Sequence, residues 1–329
     1  MSLLAAIIRP FWLRGLHSVS GRPASGLGTW FISKPYQAYH PLQPSTTSSR
    51  IDRFILSVAD SSLLLHAYAS DCSRLGMASF ETIHSINRIR GLPRSTAWLI
   101  VKYYYASYFA AHAILRMLGV SCSNIDGVQS AVINDVIEVY GMANGFKVPS
   151  GTFRCSYDPG NQELVCTRQT NDKGGSHQFL WTTFHEEMRR LSTKILSMSG
   201  VREDQQEVSS KIDELNEALC SNGNASGGWL SSVRNKVNYQ QDLGAWFPYT
   251  GVTKSIADKL FDTRTLWNKD ALKIPLTSTS SGDPARFLGT CAFIISLARI
   301  MILDMSKRHP ENKSFHRYGS VAFLNLLDR

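Results

Sequence analysis

The sequence predicts a mainly α-helical protein: a helical bundle with an inserted β-hairpin and an N-terminal extension. Three observations lead there. Long apolar stretches between residues 96 and 306 repeat at helical spacing. One stretch, residues 145–173, shifts instead to two strand-like runs around a tight turn. The first 50 residues follow neither period.

Those first residues are rich in Ser, Pro and Gly, with aromatic islands at Phe11-Trp12, Trp30-Phe31 and between Tyr36 and Tyr39. Short strands, or an arm that packs through its aromatics, fit this pattern, and residues 41–49 read as a linker. From Ile51 the spacing becomes helical: Ile51, Phe54, Ile55, Val58 and Leu65 share one helix face, interrupted near Gly76. Gly91-Leu-Pro93 is a turn, after which Ser95 or Thr96 caps a long helix that runs through Leu118 and stops at Gly119. A shorter helix follows over about 128–140. Residues 152–157 and 163–168 then flank Asp158-Pro-Gly-Asn161, a strong hairpin signal. Helices resume over 178–199 and 203–220, a Gly- and Asn-rich loop spans 221–228, and a strongly apolar helix starts at Pro284 or Ala285 and runs to about Ser306. The expected organisation is an extension or arm over 1–50, a helical domain over 51–310 with the hairpin at about 150–170, and a tail over 311–329.

The apolar fraction of 43% and the charged fraction of 19% are those of a folded chain and argue against intrinsic disorder. The net charge of +9 makes a polyanionic partner plausible, but its placement matters more than its total. No acid precedes Asp52, whereas Arg9, Arg14, Arg22, Lys34 and Arg50 do, so the rest of the chain is only mildly basic. The six cysteines form no C-x-x-C pair, so zinc spacing is absent and reduced thiols are expected; Cys155 and Cys166 face each other across the hairpin. No P-loop, dinucleotide fingerprint or zincin pair occurs: His185-Glu186-Glu187 lacks a second His four residues on. No metal or cofactor is expected. Leu3 to Ile8 is too short for a signal-peptide core, although the acid-free start has the composition of a mitochondrial presequence; that ranks below an ordered extension. The apolar run from Trp98 to Leu118 contains Lys102, His112 and Arg116 and suits a buried core helix better than a membrane span. A cytoplasmic protein with no membrane partner is the expectation.

Two stretches carry a family resemblance. Lys102-Tyr-Tyr-Tyr-Ala-Ser-Tyr-Phe-Ala-Ala-His-Ala-Ile-Leu-Arg-Met-Leu-Gly119 is similar to the Tyr-Tyr-Ala helix of many HEPN-superfamily members, and as an aromatic and alanine stripe it also reads simply as core. Trp229-Leu-Ser-Ser-Val-Arg-Asn-Lys-Val-Asn-Tyr239 resembles the start of their catalytic motif at Arg234-Asn235, with Tyr239 standing where the family carries His. Without the family, Arg234-Asn235 reads equally as a helix cap or the partner of a carboxylate.

The resemblance implies a HEPN-like bundle, dimeric, that cleaves RNA without metal: the ribose 2′-hydroxyl attacks the adjacent phosphate. Such a reaction needs a cation for the developing charge and a proton acceptor working near neutral pH. Arg234 suits the first task through its planar fork. Tyr239, with an ordinary pKa of about 10, is a poor base and serves instead to hydrogen-bond phosphate or stack on a base. His112, His177 and His185 are the histidines that can replace the missing one. Lys236, Trp246 and His112 are the further candidate RNA contacts; the cluster Trp246-Phe-Pro-Tyr249 either stacks on bases or plugs the bundle end. Family members commonly act as toxins or anti-phage effectors, with a partner protein from the same system. The rival expectation is a catalytically inactive HEPN-like scaffold, antitoxin-like or sensor subunit that binds a protein or RNA.

Overall fold

The computed structural model describes residues 2–19, 25–46, 49–87, 96–169, 175–241, 244–246, 263–276, 283–309, 315 and 319–327. Helix accounts for 62% of the described residues and strand for 10%, so the mainly α expectation holds, alongside a five-stranded antiparallel sheet. In chain order the elements are α1 (Leu3–Ile8), α2 (Leu27–Ile32), β1 (Tyr36–Gln37), β2 (Arg53–Val58), α3 (Ser61–Asn87), α4 (Ala97–Met117), β3 (Val120–Ile125), α5 (Gly127–Val139), β4 (Gly151–Asp158), β5 (Glu163–Arg168), α6 (Gly175–Leu196), α7 (Arg202–Leu219), α8 (Trp229–Tyr239), α9 (Asp283–Ser306) and α10 (Ser320–Leu327), with short 3-10 turns between.

The centre is α4. It packs along α3 on one side and α9 on another, and α8 and α6 lie across it. Ala106, Ala110, Ala111 and Ala113 are fully buried, and these small side chains let the neighbouring backbones approach. Helix α4 ends as expected, with Gly119 in the left-handed region (φ +77°). Its start differs from expectation. Thr96 makes no capping bond to its own helix; the carbonyl of Ala245 accepts the Thr96 and Ala97 N–H groups (2.9 and 3.2 Å), so a distant segment satisfies the orphan donors. Ser95 and the Gly91–Pro93 turn lie outside the described residues.

The hairpin expectation holds, with Cys155 opposite Cys166 and both thiols free. It does not stand alone, however: β4 and β5 are inner strands of the order β1-β2-β5-β4-β3. Strand β2 corrects the helical reading of Ile51, Phe54, Ile55 and Val58. Phe54, Leu56 and Val58 alternate inward, a period of two, and Ile55 points to the other, half-buried face. The spacing Phe54, Ile55, Val58 also satisfies a helix, and only the register with β5 (Phe54 opposite Cys166, Leu56 opposite Leu164) decides between them. Helix α3 begins just afterwards, where the Asp60 carboxylate accepts the Ser62 N–H (2.8 Å). It runs through Gly76 without a break. A Cβ there would stand 2.8 Å from Ser320 Oγ and 2.9 Å from Ile302 Cδ1, so the glycine marks close helix packing and not a helix end.

The N-terminal residues pack inward. Leu4, Ile8 and Leu16 are fully buried, and Trp12, Trp30, Phe31 and Tyr36 join the same core. Arg9 forks onto Asp304 of α9 (2.8 and 3.2 Å), and the Leu13 N–H closes the Met117 carbonyl at the end of α4 (2.8 Å). Helix α9 is long and apolar enough to cross a membrane, but 89% of its apolar window is buried within the protein.

Candidate functional site

One face of α4 comes to the surface among α6 and α8. Half-buried Tyr105, Tyr108 and His112 carry it, one per turn or nearly so, the 3.6-residue period expressed at a helix edge, with Tyr104 fully buried beneath them. Arg234 reaches this face from α8. Its side chain lies almost buried along the tyrosines, at 9% exposure. Nη2 donates to the Tyr105 hydroxyl (2.9 Å) and Nη1 to the Asn235 side-chain oxygen (2.8 Å). The guanidinium carbon stands 5.3 Å from the Tyr239 ring centre, 5.7 Å from that of Tyr105 and 5.8 Å from that of Tyr104, within cation–π range of all three. Nε is buried without a partner, and among the described residues no carboxylate pairs with this charge. Burial works against its charged form, but the Tyr105 hydrogen bond and the three phenol oxygens outweigh it, and the guanidinium stays a cation.

His177 enters the same cluster from the first turn of α6. Its ring lies 4.6 Å from that of Tyr108, 5.7 Å from Tyr104 and 5.9 Å from Tyr105. Nδ1 is 2.8 Å from the Tyr104 hydroxyl, which also accepts from the fully buried Trp181 indole N–H (3.1 Å). Burial lowers the pKa of His177, and the Arg234 charge lowers it further, so the imidazole is neutral at pH 7. Burial raises Tyr104 well above its ordinary value and pushes Tyr108 up to about 12, so both phenols keep their protons.

Arg234, Asn235 and Tyr239 therefore stand together, with Tyr239 72% exposed at the rim. The other expected RNA contacts do not join them. Lys236 lies on another face of α8, beside a cavity lined by Ile100, Trp229, Val233, Phe287 and Leu288. Trp246 packs edge-on against Trp98 at 5.5 Å and donates its indole N–H to the Val237 carbonyl (2.6 Å), closing the end of the bundle; Phe247 to Tyr249 lie outside the described residues. His112 packs edge-on against Tyr108 (4.8 Å), and its Nδ1 accepts from Arg116 (3.2 Å). Burial, then the charge of Arg116, holds its pKa well below the usual histidine value. His185 is engaged elsewhere, with Nε2 3.3 Å from Cys220 Sγ.

The sequence places Tyr104, Tyr105 and Tyr108 in the bundle core; Tyr104 is fully buried there, whereas Tyr105 and Tyr108 are only half-buried. Their helical spacing was visible; which edge of α4 would be left open was not, because it depends on where α6 and α8 cross. Among the described residues, no group of three or more His, Cys, Asp or Glu is placed to hold a metal ion.

Fold and site together define a mainly helical protein with a small antiparallel sheet and a half-open cluster of arginine, tyrosine and histidine. No family model, curated protein or solved structure matches the chain.

Proposed function

We propose that this protein is an RNA-targeting, HEPN-like endoribonuclease that works without metal, with Arg234 as its phosphate-binding residue. The observation that carries the reading is the Arg234 guanidinium: an almost buried cation with one unpartnered N–H and no carboxylate among the described residues. Neutral oxygens and ring faces hold the cation without neutralising it, so an anion arriving at its open side meets a full positive charge. Tyrosine rings beside it offer faces on which bases stack. Asn235 holds the fork, and Tyr239 at the rim contacts the strand. In the biological setting that the HEPN resemblance suggests, the protein is a cytoplasmic dimer acting as a toxin or anti-phage effector beside a partner protein.

The test is incubation of the purified chain with mixed cellular RNA in EDTA, beside Arg234→Ala. Wild type is expected to leave cyclic-phosphate ends. The variant should cleave about 100-fold less or worse, with an unchanged melting curve. Equal cleavage by Arg234→Ala sinks the assignment. A second reading, an inactive HEPN-like scaffold, antitoxin-like or sensor subunit, is favoured by Tyr239 in place of the family's histidine. It predicts RNA or protein binding that depends on Arg234, with no cleavage.

A further inference from the structure

We infer that His177 is the acid–base residue of this site and that Tyr104 orients it. The inference rests on the cleavage reading above and supplies the proton acceptor that the Arg234-Asn235 stretch lacks.

The geometry brings the two groups to one spot from different helices. Arg234, on α8, donates to the Tyr105 hydroxyl, and His177, on α6, lies across the Tyr105 ring at 5.9 Å. A phosphate lodged on the open side of Arg234 therefore stands beside the imidazole. The ring of His177 is half-buried, so one edge remains reachable. Its other edge is fixed by Tyr104, whose hydroxyl also accepts the Trp181 indole N–H. In the tautomer this role calls for, the Tyr104 oxygen accepts Nδ1–H of His177. That tautomer leaves the Nε2 lone pair free. The arrangement performs for His177 what a third residue does for any catalytic base: it selects the tautomer and the ring orientation.

The groups facing His177 are Tyr104, Tyr105, Tyr108 and His112 from α4 and Arg234 from α8; among the described residues no carboxylate forms an ion pair with it. The cation favours the neutral, proton-accepting imidazole. In the step itself, Nε2 takes the proton of the ribose 2′-hydroxyl as O2′ bonds to phosphorus. The bond from phosphorus to the 5′ oxygen breaks, and that oxygen leaves with a proton from water. Arg234 holds the non-bridging oxygens. The products are a 2′,3′-cyclic phosphate and a 5′-hydroxyl, with the proton retained on His177 until solvent removes it.

The full chain, His177→Gln and Tyr104→Phe are assayed on an end-labelled single-stranded RNA, and binding is measured on its uncleavable 2′-O-methyl counterpart. His177→Gln is expected to cut cleavage at pH 7 by about 100-fold or more while binding the methylated strand as wild type does. Wild-type kcat/KM should fall as pH drops below about 6.5, the limb expected of a base whose pKa lies under the ordinary histidine value. That limb should be missing from His177→Gln. Tyr104→Phe should keep the limb at a reduced rate. Wild-type cleavage with no acid limb overturns the inference without recourse to any variant. Equal cleavage by His177→Gln overturns it and leaves the Arg234 reading intact. A wild type that binds the methylated strand but cleaves no RNA overturns both.

Discussion

A buried arginine is ordinarily matched by a carboxylate, as Arg116 is by Asp71 (3.8 Å). Arg234 is matched by aromatic faces and two neutral oxygens instead. Tyr105→Phe keeps the ring beneath the guanidinium but removes the acceptor at 2.9 Å. Phosphate contact should weaken by about 1.5–3 kcal/mol, a hydrogen bond to a charged group, and the RNA dissociation constant rise accordingly. His112 gives a second test at this scale. Its folded pKa is depressed, so the unfolded chain binds a proton more readily. Stability from this residue is complete above about pH 6.5 and is lost as pH falls below it. The melting temperature of His112→Gln should therefore fall less steeply on acidification than that of wild type. Of these residues, Arg234, Asn235 and Tyr239 were legible because one helix carries them. His177 was one histidine among three until α6 was seen to cross α4 at Tyr104.

Helix α8 shows how much an element can say and withhold. Its start and end, its apolar stripe and its Arg-Asn pair are all local. That Lys236 faces a cavity beside Phe287, away from Arg234, follows only from where α9 lies. The same division runs through the fold. The β4–β5 hairpin was legible because its turn residues and both strands are contiguous. Strand β2 was not, because its partner lies more than a hundred residues away and its spacing suits a helix as well. Gly76 was read as an interruption, since propensity disfavours glycine within a helix, whereas the tertiary contact with Ser320 and Ile302 requires it. Gly76→Val should force α3 from α10 and α9 and cost about 1–3 kcal/mol, measured by denaturant unfolding.

For the molecule as a whole, the N-terminal segment is structural. Leu4, Ile8, Leu16 and Phe31 are essentially inaccessible, and each contributes about 1.5–3 kcal/mol by burial, against a total stability of about 5–15 kcal/mol. Deleting residues 1–35 should abolish the cooperative melt and expose dye-binding apolar surface; a truncated chain with a wild-type melting curve would contradict this. The basic composition of the segment suggested an arm, yet Arg9 is spent on Asp304 and Lys34 on Asp135 (3.5 Å).

The strand order carries a kinetic consequence. Strands β4 and β5 zip across four residues, and α3 and α4 pair as chain neighbours, so these parts can form early at little entropic cost. Strand β2 can join β5 only once the whole intervening stretch, two long helices and a strand among it, has been gathered into place. Strand β1 then has only β2 to lean on. Refolding should thus proceed from the middle of the chain outwards, and the edge of β5 waits, unpaired and able to capture another chain, until β2 arrives to cover it.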